Sequence, residues 1–152
     1  MAADEQLKII IGLEEGHQKD DIIRILSESY EVMVVDDCEE AYHKIHSFDP
    51  DLAILDYSLS KVHPIDLHEG ISMVHSYVQV VICATAENLE VARRVWSRRA
   101  MDFIVKPITN ERFIQDVNKI IRYIIDKREL KQLRLRMKAV EEEIEKLKGK
   151  MD

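Results

Sequence analysis

Glycine and proline are scarce, with 4 and 3 residues in a chain of 152, and so few backbone punctuators argue against a disordered linker or a loop-rich scaffold. Cysteine is rarer still. Cys38 and Cys83 stand 45 residues apart, so a disulfide framework is not what holds this fold, and both thiols are expected to be reduced and buried. No apolar run approaches the roughly 18 residues a membrane span needs, and Met1 to Gln6 is acidic rather than basic and apolar. These two absences predict a soluble, cytoplasmic protein with no membrane partner. No glycine-rich loop follows the first apolar run, which speaks against a nucleotide enzyme, and no Ser/His/Asp or Cys/His order is evident. Positive charge is short in the first part of the chain. Residues 1–126 carry 13 Lys and Arg against 23 Asp and Glu, whereas residues 127–152 carry 9 against 6. An acidic globular part argues against nucleic acid as its direct ligand, and the interleaved charges at the C-terminus fit a solvated helix face.

What is present is a core. Hydrophobic residues make up 46% of the chain, enough for one domain of about 100–150 residues with a further segment. The stretch Asp51-Leu52-Ala53-Ile54-Leu55-Asp56-Tyr57 organises the rest. Its continuous apolar run, bounded by Pro50 and by the polar segment Ser58 to Lys61, predicts a strand buried on both faces with Asp56 at its C-terminal end. In open parallel sheets the crevice beyond the strand C-termini is where ligands bind, so an acid there is a functional candidate.

Four more strands are predicted at Leu7–Leu13, Glu31–Val35, Gln79–Thr85 and Asp102–Val105. Between and after them, helical spacing predicts helices over Lys19–Ser29, from Asp36 or Asp37 to about Ser47, from about Leu67 to Ser76, and through Leu89, Ala92, Val95 and Trp96. Ser58 to Leu67 reads as irregular. A last helix is predicted to be capped by Thr109, with Phe113, Val117, Ile120, Ile121 and Ile124 on one face. Five strands alternating with five helices call for an α/β, doubly wound five-stranded parallel sheet, flavodoxin-like in order. The domain is expected over residues 7–125, after an N-terminal tail, 1–6.

Beyond Ile125 the period changes. Leu130, Leu133, Met137, Val140, Ile144, Leu147 and Met151 step by alternating threes and fours, a heptad seam. With Leu130 at position a, the g and following e residues pair Glu129 with Arg134, Arg136 with Glu141, and Glu143 with Lys148. All three pairs are opposite in sign, as a parallel dimer requires. The last domain helix uses a differently phased face, which favours a coiled-coil homodimer over residues 126–152 rather than a helix folded back on its own domain.

The predicted topology brings Glu14 and Glu15, Asp56, Thr85 and Lys106 to one edge. Carboxylates with one lysine and one hydroxyl suit a hard divalent cation such as Mg²⁺ and a phosphoryl group, and the chemistry this set supports is formation of an aspartyl phosphate. Here the chain resembles the receiver domains of two-component response regulators. DLAILD ending in Asp56, CATAEN with Thr85-Ala86, and AMDFIVKP with Phe103 and Lys106-Pro107 carry the resemblance, which spans about residues 7–125. It implies that Asp56 is the phosphoacceptor, Lys106 its ion-pair partner, Thr85 the hydroxyl switch and Phe103 the rotameric aromatic. It also implies that Ser58 lends its backbone carbonyl to a metal held by Glu14, Glu15 and Asp56, and that a histidine kinase or phosphotransfer protein is the partner.

The chain departs from the family pattern at several positions. Two acids, mostly Asp, usually follow the first strand; here a gap-free reading gives Leu13 and Glu14, and a reading from the helix gives Glu14 and Glu15. The family's Pro four residues after the phosphoacceptor is Ser60, its Gly eight after is Pro64, and its Gly before Ala100 is Arg99. His63, Asp66, His68 and Glu69 cluster in the irregular segment, where a transition-metal site and a solvated loop are the two readings. Trp96 and Met101 read as packing residues. The function expected is a receiver that takes a phosphoryl group on Asp56 and relays it through a coiled-coil dimer. Its rivals are a phosphorylation-independent dimerisation or binding module and, third, an enzyme on a flavodoxin-like sheet. No output domain is visible, so either the chain is a fragment or the coil is itself the output.

Overall fold

The computed structural model describes residues 6–59, 78–96 and 100–151. Its elements are β1 (Lys8–Gly12), α1 (His17–Ser27), β2 (Glu31–Val34), α2 (Cys38–Phe48), β3 (Leu52–Asp56), a 3-10 turn (Tyr57–Leu59), β4 (Gln79–Thr85), α3 (Ala86–Trp96), β5 (Ala100–Lys106) and α4 (Asn110–Met151). The strands form one parallel sheet in the order β2-β1-β3-β4-β5. The helix expected near 67–76, the departures at Ser60, Pro64 and Arg99, and the cluster His63, Asp66, His68 and Glu69 lie outside the described residues. So do the side chains of Trp96 and Met101.

The alternation of strand side chains divides the core into two layers. Ile9 and Ile11, Leu52 and Ile54, and Val81 and Cys83 face α1 and the first half of α4, where Ile22, Leu26, Phe113 and Val117 meet them. Ile10, Ala53 and Leu55, and Val80, Ile82 and Ala84 face the other way, onto Cys38, Ala41 and Ile45 of α2 and Ala92 of α3. Every residue of β3 is buried. Its continuous aliphatic run is thus the signature of the sheet's central strand, covered on both faces.

Local chemistry sets the helix ends. Asp37 caps α2 by accepting the Glu40 amide at 2.8 Å, while the Glu40 carboxylate accepts from the Asp36 amide at 2.9 Å, a reciprocal arrangement that satisfies free donors. Asp49 closes α2 in the left-handed region, at φ 55, which a short polar side chain tolerates. Thr109 caps α4, its hydroxyl accepting the Arg112 amide at 3.2 Å. Gly16, at φ 148, turns the chain into α1, a conformation that side-chain-bearing residues rarely adopt. That turn starts α1 at His17, two residues before the expected Lys19. β5 is also longer than the expected Asp102–Val105, because its pairing with β4 runs from Ala100 opposite Val80 to Lys106 opposite Thr85.

The last helix runs unbroken for 42 residues, about 63 Å at 1.5 Å per residue. Its first part is buried through Phe113, Val117, Ile120, Ile121 and Ile124, and from Asp126 to Met151 every residue is exposed. All seven seam residues are bare, from Ile144 at 45% to Met151 at 85%. Arg128 leans back as α4 leaves the sheet and pairs with Asp51, whose other oxygen accepts the Lys8 amide at 2.8 Å. No helix among the described residues is long and apolar enough to cross a membrane.

Candidate functional site

Strand order reverses between β1 and β3, both of whose outer neighbours lie on opposite sides, and a crevice opens there beyond the strand C-termini. β3, the segment after β1 and β5 deliver its charged core. β3 ends in Asp56, which is only 2% exposed. The segment after β1 supplies Glu14, and the last residue of β5 supplies Lys106. Register fixes their neighbours: Asp56 lies opposite Cys83 of β4, and Thr85 opposite Lys106.

The Lys106 ammonium sits 2.5 Å from Asp56 Oδ2 and 3.2 Å from Glu14 Oε2. Asp56 Oδ1 accepts the Ser58 amide at 2.9 Å. The Ser58 hydroxyl lies between the two acids, 2.7 Å from Asp56 Oδ1 and 2.8 Å from Glu14 Oε1. A hydroxyl has one proton to give, so it satisfies one of these oxygens and leaves a close oxygen pair with the other. The cluster therefore holds more lone pairs than protons. Two carboxylates against one ammonium leave it with net negative charge, and its donors are all hard oxygens, the set that Mg²⁺ prefers. Among the described residues no three His, Cys, Asp or Glu side chains gather, and the two carboxylates they bring together here are Asp56 and Glu14.

Electrostatics follow from this packing. The Ser58 hydroxyl bond and then the Lys106 ammonium hold the Glu14 carboxyl below its ordinary range. Burial works against the charged form of Lys106, yet its bonds and attraction to Asp56 and Glu14 outweigh that and raise its pKa. Both act in one direction: they keep the ion pair charged at neutral pH. Cys83 and Cys38 flank the site, the Cys38 thiol donating to the Asp56 backbone carbonyl at 3.6 Å. Burial, with the nearby charges of Glu39, Asp56 and Asp37, pushes the Cys38 thiol up to about 12.

Of the residues singled out in the sequence, Asp56, Lys106 and Glu14 converge. Glu15 does not: it is exposed, and it pairs with Lys19 at 2.5 Å. Leu13, which the gap-free reading sets beside Glu14, is buried in the core. Thr85 is exposed at the end of β4, next to the site, and Phe103 is half-buried against the α2 and α3 layer. Two participants escaped the sequence reading. The Ser58 side chain joins the cluster, where only its carbonyl was expected, and Lys19 is buried beside it. The signal for Lys19 was available: positions 19, 22 and 26 share one helix face, so this lysine lies on the apolar stripe of Ile22 and Leu26.

A family model described as the response regulator receiver domain matches residues 17–118. The chain belongs to the receiver-domain family. Receiver domains are signalling modules of two-component systems rather than conventional enzymes. Among related sequences, a response regulatory protein of Yersinia pestis is 26% identical over 130 residues, covering 82% of this chain and 52% of its own length. The chemotaxis protein CheY of Thermotoga maritima is 25% identical over 81 residues, covering 53% of this chain and 68% of that protein. Among solved structures, NtrX from Brucella abortus superposes with a TM-score of 0.72 at 29% identity, covering 85% of this chain and 30% of that one. The receiver described here therefore spans about half of the Yersinia protein and under a third of NtrX.

Proposed function

We propose that this receiver accepts a phosphoryl group on Asp56 from a histidine kinase or phosphotransfer protein and relays the change to a parallel coiled-coil dimer. The observation that carries the reading is the buried Asp56 carboxylate held 2.5 Å from Lys106 at the strand-end crevice. In the transfer, an Asp56 oxygen forms the new bond to phosphorus, the bond from phosphorus to the donor imidazole nitrogen breaks, and that nitrogen keeps the electron pair and takes up a proton. Lys106 stays beside the reacting carboxylate and meets the charge on the phosphoryl oxygens. Mg²⁺ fits the oxygen cluster, with Glu14, Asp56 and the Ser58 carbonyl as its holders. When bound it would screen the carboxylate from the incoming anionic phosphoryl group.

Thr85, paired with Lys106 across β4 and β5, would turn its hydroxyl toward a phosphorylated Asp56. Phe103 would then shift on the α3 side of the sheet, altering the β5 and α3 surface and, through β5, the segment that leads into α4. The bare seam on α4 supports the second half of the reading. Exposed apolar side chains in heptad register, flanked by three complementary g–e pairs, favour a second copy in parallel. An antiparallel pair, with e facing e and g facing g, would set Arg134 against Lys148, Glu129 against Glu143, and Glu141 and Arg136 each against its own copy. That arrangement is like-charged throughout. The exposed run from residue 126 supports placing the boundary between receiver and coil there.

Glu15's position outside the cluster favours a second reading, in which dimerisation and partner binding proceed without phosphorylation. Beryllofluoride with Mg²⁺ separates the two. The phosphoryl reading expects amide shift changes at Thr85, Phe103 and Lys106 that vanish in Asp56→Asn. A spectrum unmoved in the wild type would favour the second reading.

A further inference from the structure

Among the described residues two charged side chains are buried: Asp56, at 2% exposure, and Lys19, at 6%. They line the same cavity, of about 40 Å³, together with Glu14, Gln18, Cys83 and Lys106. Burying an ammonium is costly unless it is paired. The partner of Lys19 is Glu15, whose side chain is 82% exposed and reaches the ammonium at 2.5 Å. The pair ties the segment before α1 to the helix's first turn, across the Gly16 turn, and Glu15 is not among the residues that line the cavity.

We propose that Lys19 sets the cation demand of the Asp56 site, by keeping Glu15 out of the cluster and by placing a resident positive charge on the cavity. The proposal rests on the reading of that cluster as the holder of a divalent cation. Lys19 supplies part of the charge compensation that a metal would otherwise give, and a metal that does enter is held by Glu14 and Asp56 without a further acid. Lys19 is thus a positioning residue: it acts on the cation through Glu15 and through the cavity's potential.

The test is binding of Mn²⁺ to the unphosphorylated full chain, followed by the electron paramagnetic resonance of the free ion, with Mg²⁺ as competitor. Lys19→Met keeps the buried stem and removes the charge, and it should tighten Mn²⁺ about tenfold, the scale expected for removing one like charge several ångströms away. Lys19→Gln, which keeps a polar end in the cavity, should do the same, so the test does not hang on the folding of one variant. Adding Glu15→Gln to either should reverse much of the gain, whereas Glu15→Gln alone, which leaves the Lys19 charge on the cavity uncompensated, should weaken binding. Unchanged affinity in both Lys19 variants, with binding still abolished by Glu14→Gln, would overturn the proposal and leave the metal reading standing. Binding that ignores Glu14→Gln, or no binding in any of these proteins, would overturn the metal reading and the proposal with it.

Discussion

Replacing Leu133 and Val140 with lysine strikes the seam at two d positions without touching the receiver core. In the single chain Leu133 is 53% exposed and Val140 58%, so about half of each side chain remains to be buried by a partner. Full burial of such a side chain stabilises by about 1.5–3 kcal/mol, and half of it by about 1 kcal/mol. A dimer contains each position twice, so the double substitution removes about 4 kcal/mol of association energy, before any cost of crowding like charges. At 1.4 kcal/mol per tenfold, the dissociation constant should rise by about three orders of magnitude. Sedimentation equilibrium across a concentration series reads this directly, with near-ultraviolet circular dichroism as the check that the receiver stays folded. A variant that dimerises as tightly as the wild type, or a wild type that sediments as a monomer throughout, would refute the seam as an interface.

Lys106→Ala should leave a folded domain destabilised by about 3 kcal/mol in urea, because it strands a buried carboxylate without its cation. Since the Lys106 pKa is raised in the folded state, its contribution fades as pH climbs above 10.5 through the raised value; since the same ammonium lowers the Glu14 pKa, that share is lost as pH falls through the lowered value, so the gap between wild type and variant should be widest around neutral pH and narrow at both ends. Gly12→Ala would set a methyl 3.0 Å from Val35 Cγ2 and 3.4 Å from Leu55 Cδ2; the crowding should cost about 1–3 kcal/mol, seen as a lowered melting temperature. The Cys38 thiol, pushed up to about 12, should react with a disulfide reagent at pH 8 only as fast as the domain unfolds. Rapid labelling of the native protein would contradict its burial.

The strands were legible because they are apolar runs with nowhere else to go: β4 matches its expected span, and β3 announces both its centrality and the acid at its end. The Thr109 cap and the bare seam were legible for the same reason, since each is a local pattern. What the sequence left open was set by contacts between segments distant along the chain. That Glu14 joins the cluster while Glu15 stays outside follows from where β1 stops, from the Gly16 turn and from the Lys19 pairing, none visible in residue types alone. The second role of Ser58 needed Glu14 brought alongside it, 44 residues away. Lys19 was passed over because a lysine reads as solvent-facing, although its place on the Ile22 and Leu26 stripe marks it as buried. The pairing of Arg128 with Asp51 likewise joins two segments that only the packed fold brings together.

The central claim is that Asp56 takes up a phosphoryl group, and intact mass after incubation with acetyl phosphate and Mg²⁺ tests it most directly. The wild type should gain one phosphoryl mass that base and hydroxylamine remove, and Asp56→Asn should gain none. An unmodified wild type, or a gain that persists in Asp56→Asn, would contradict it.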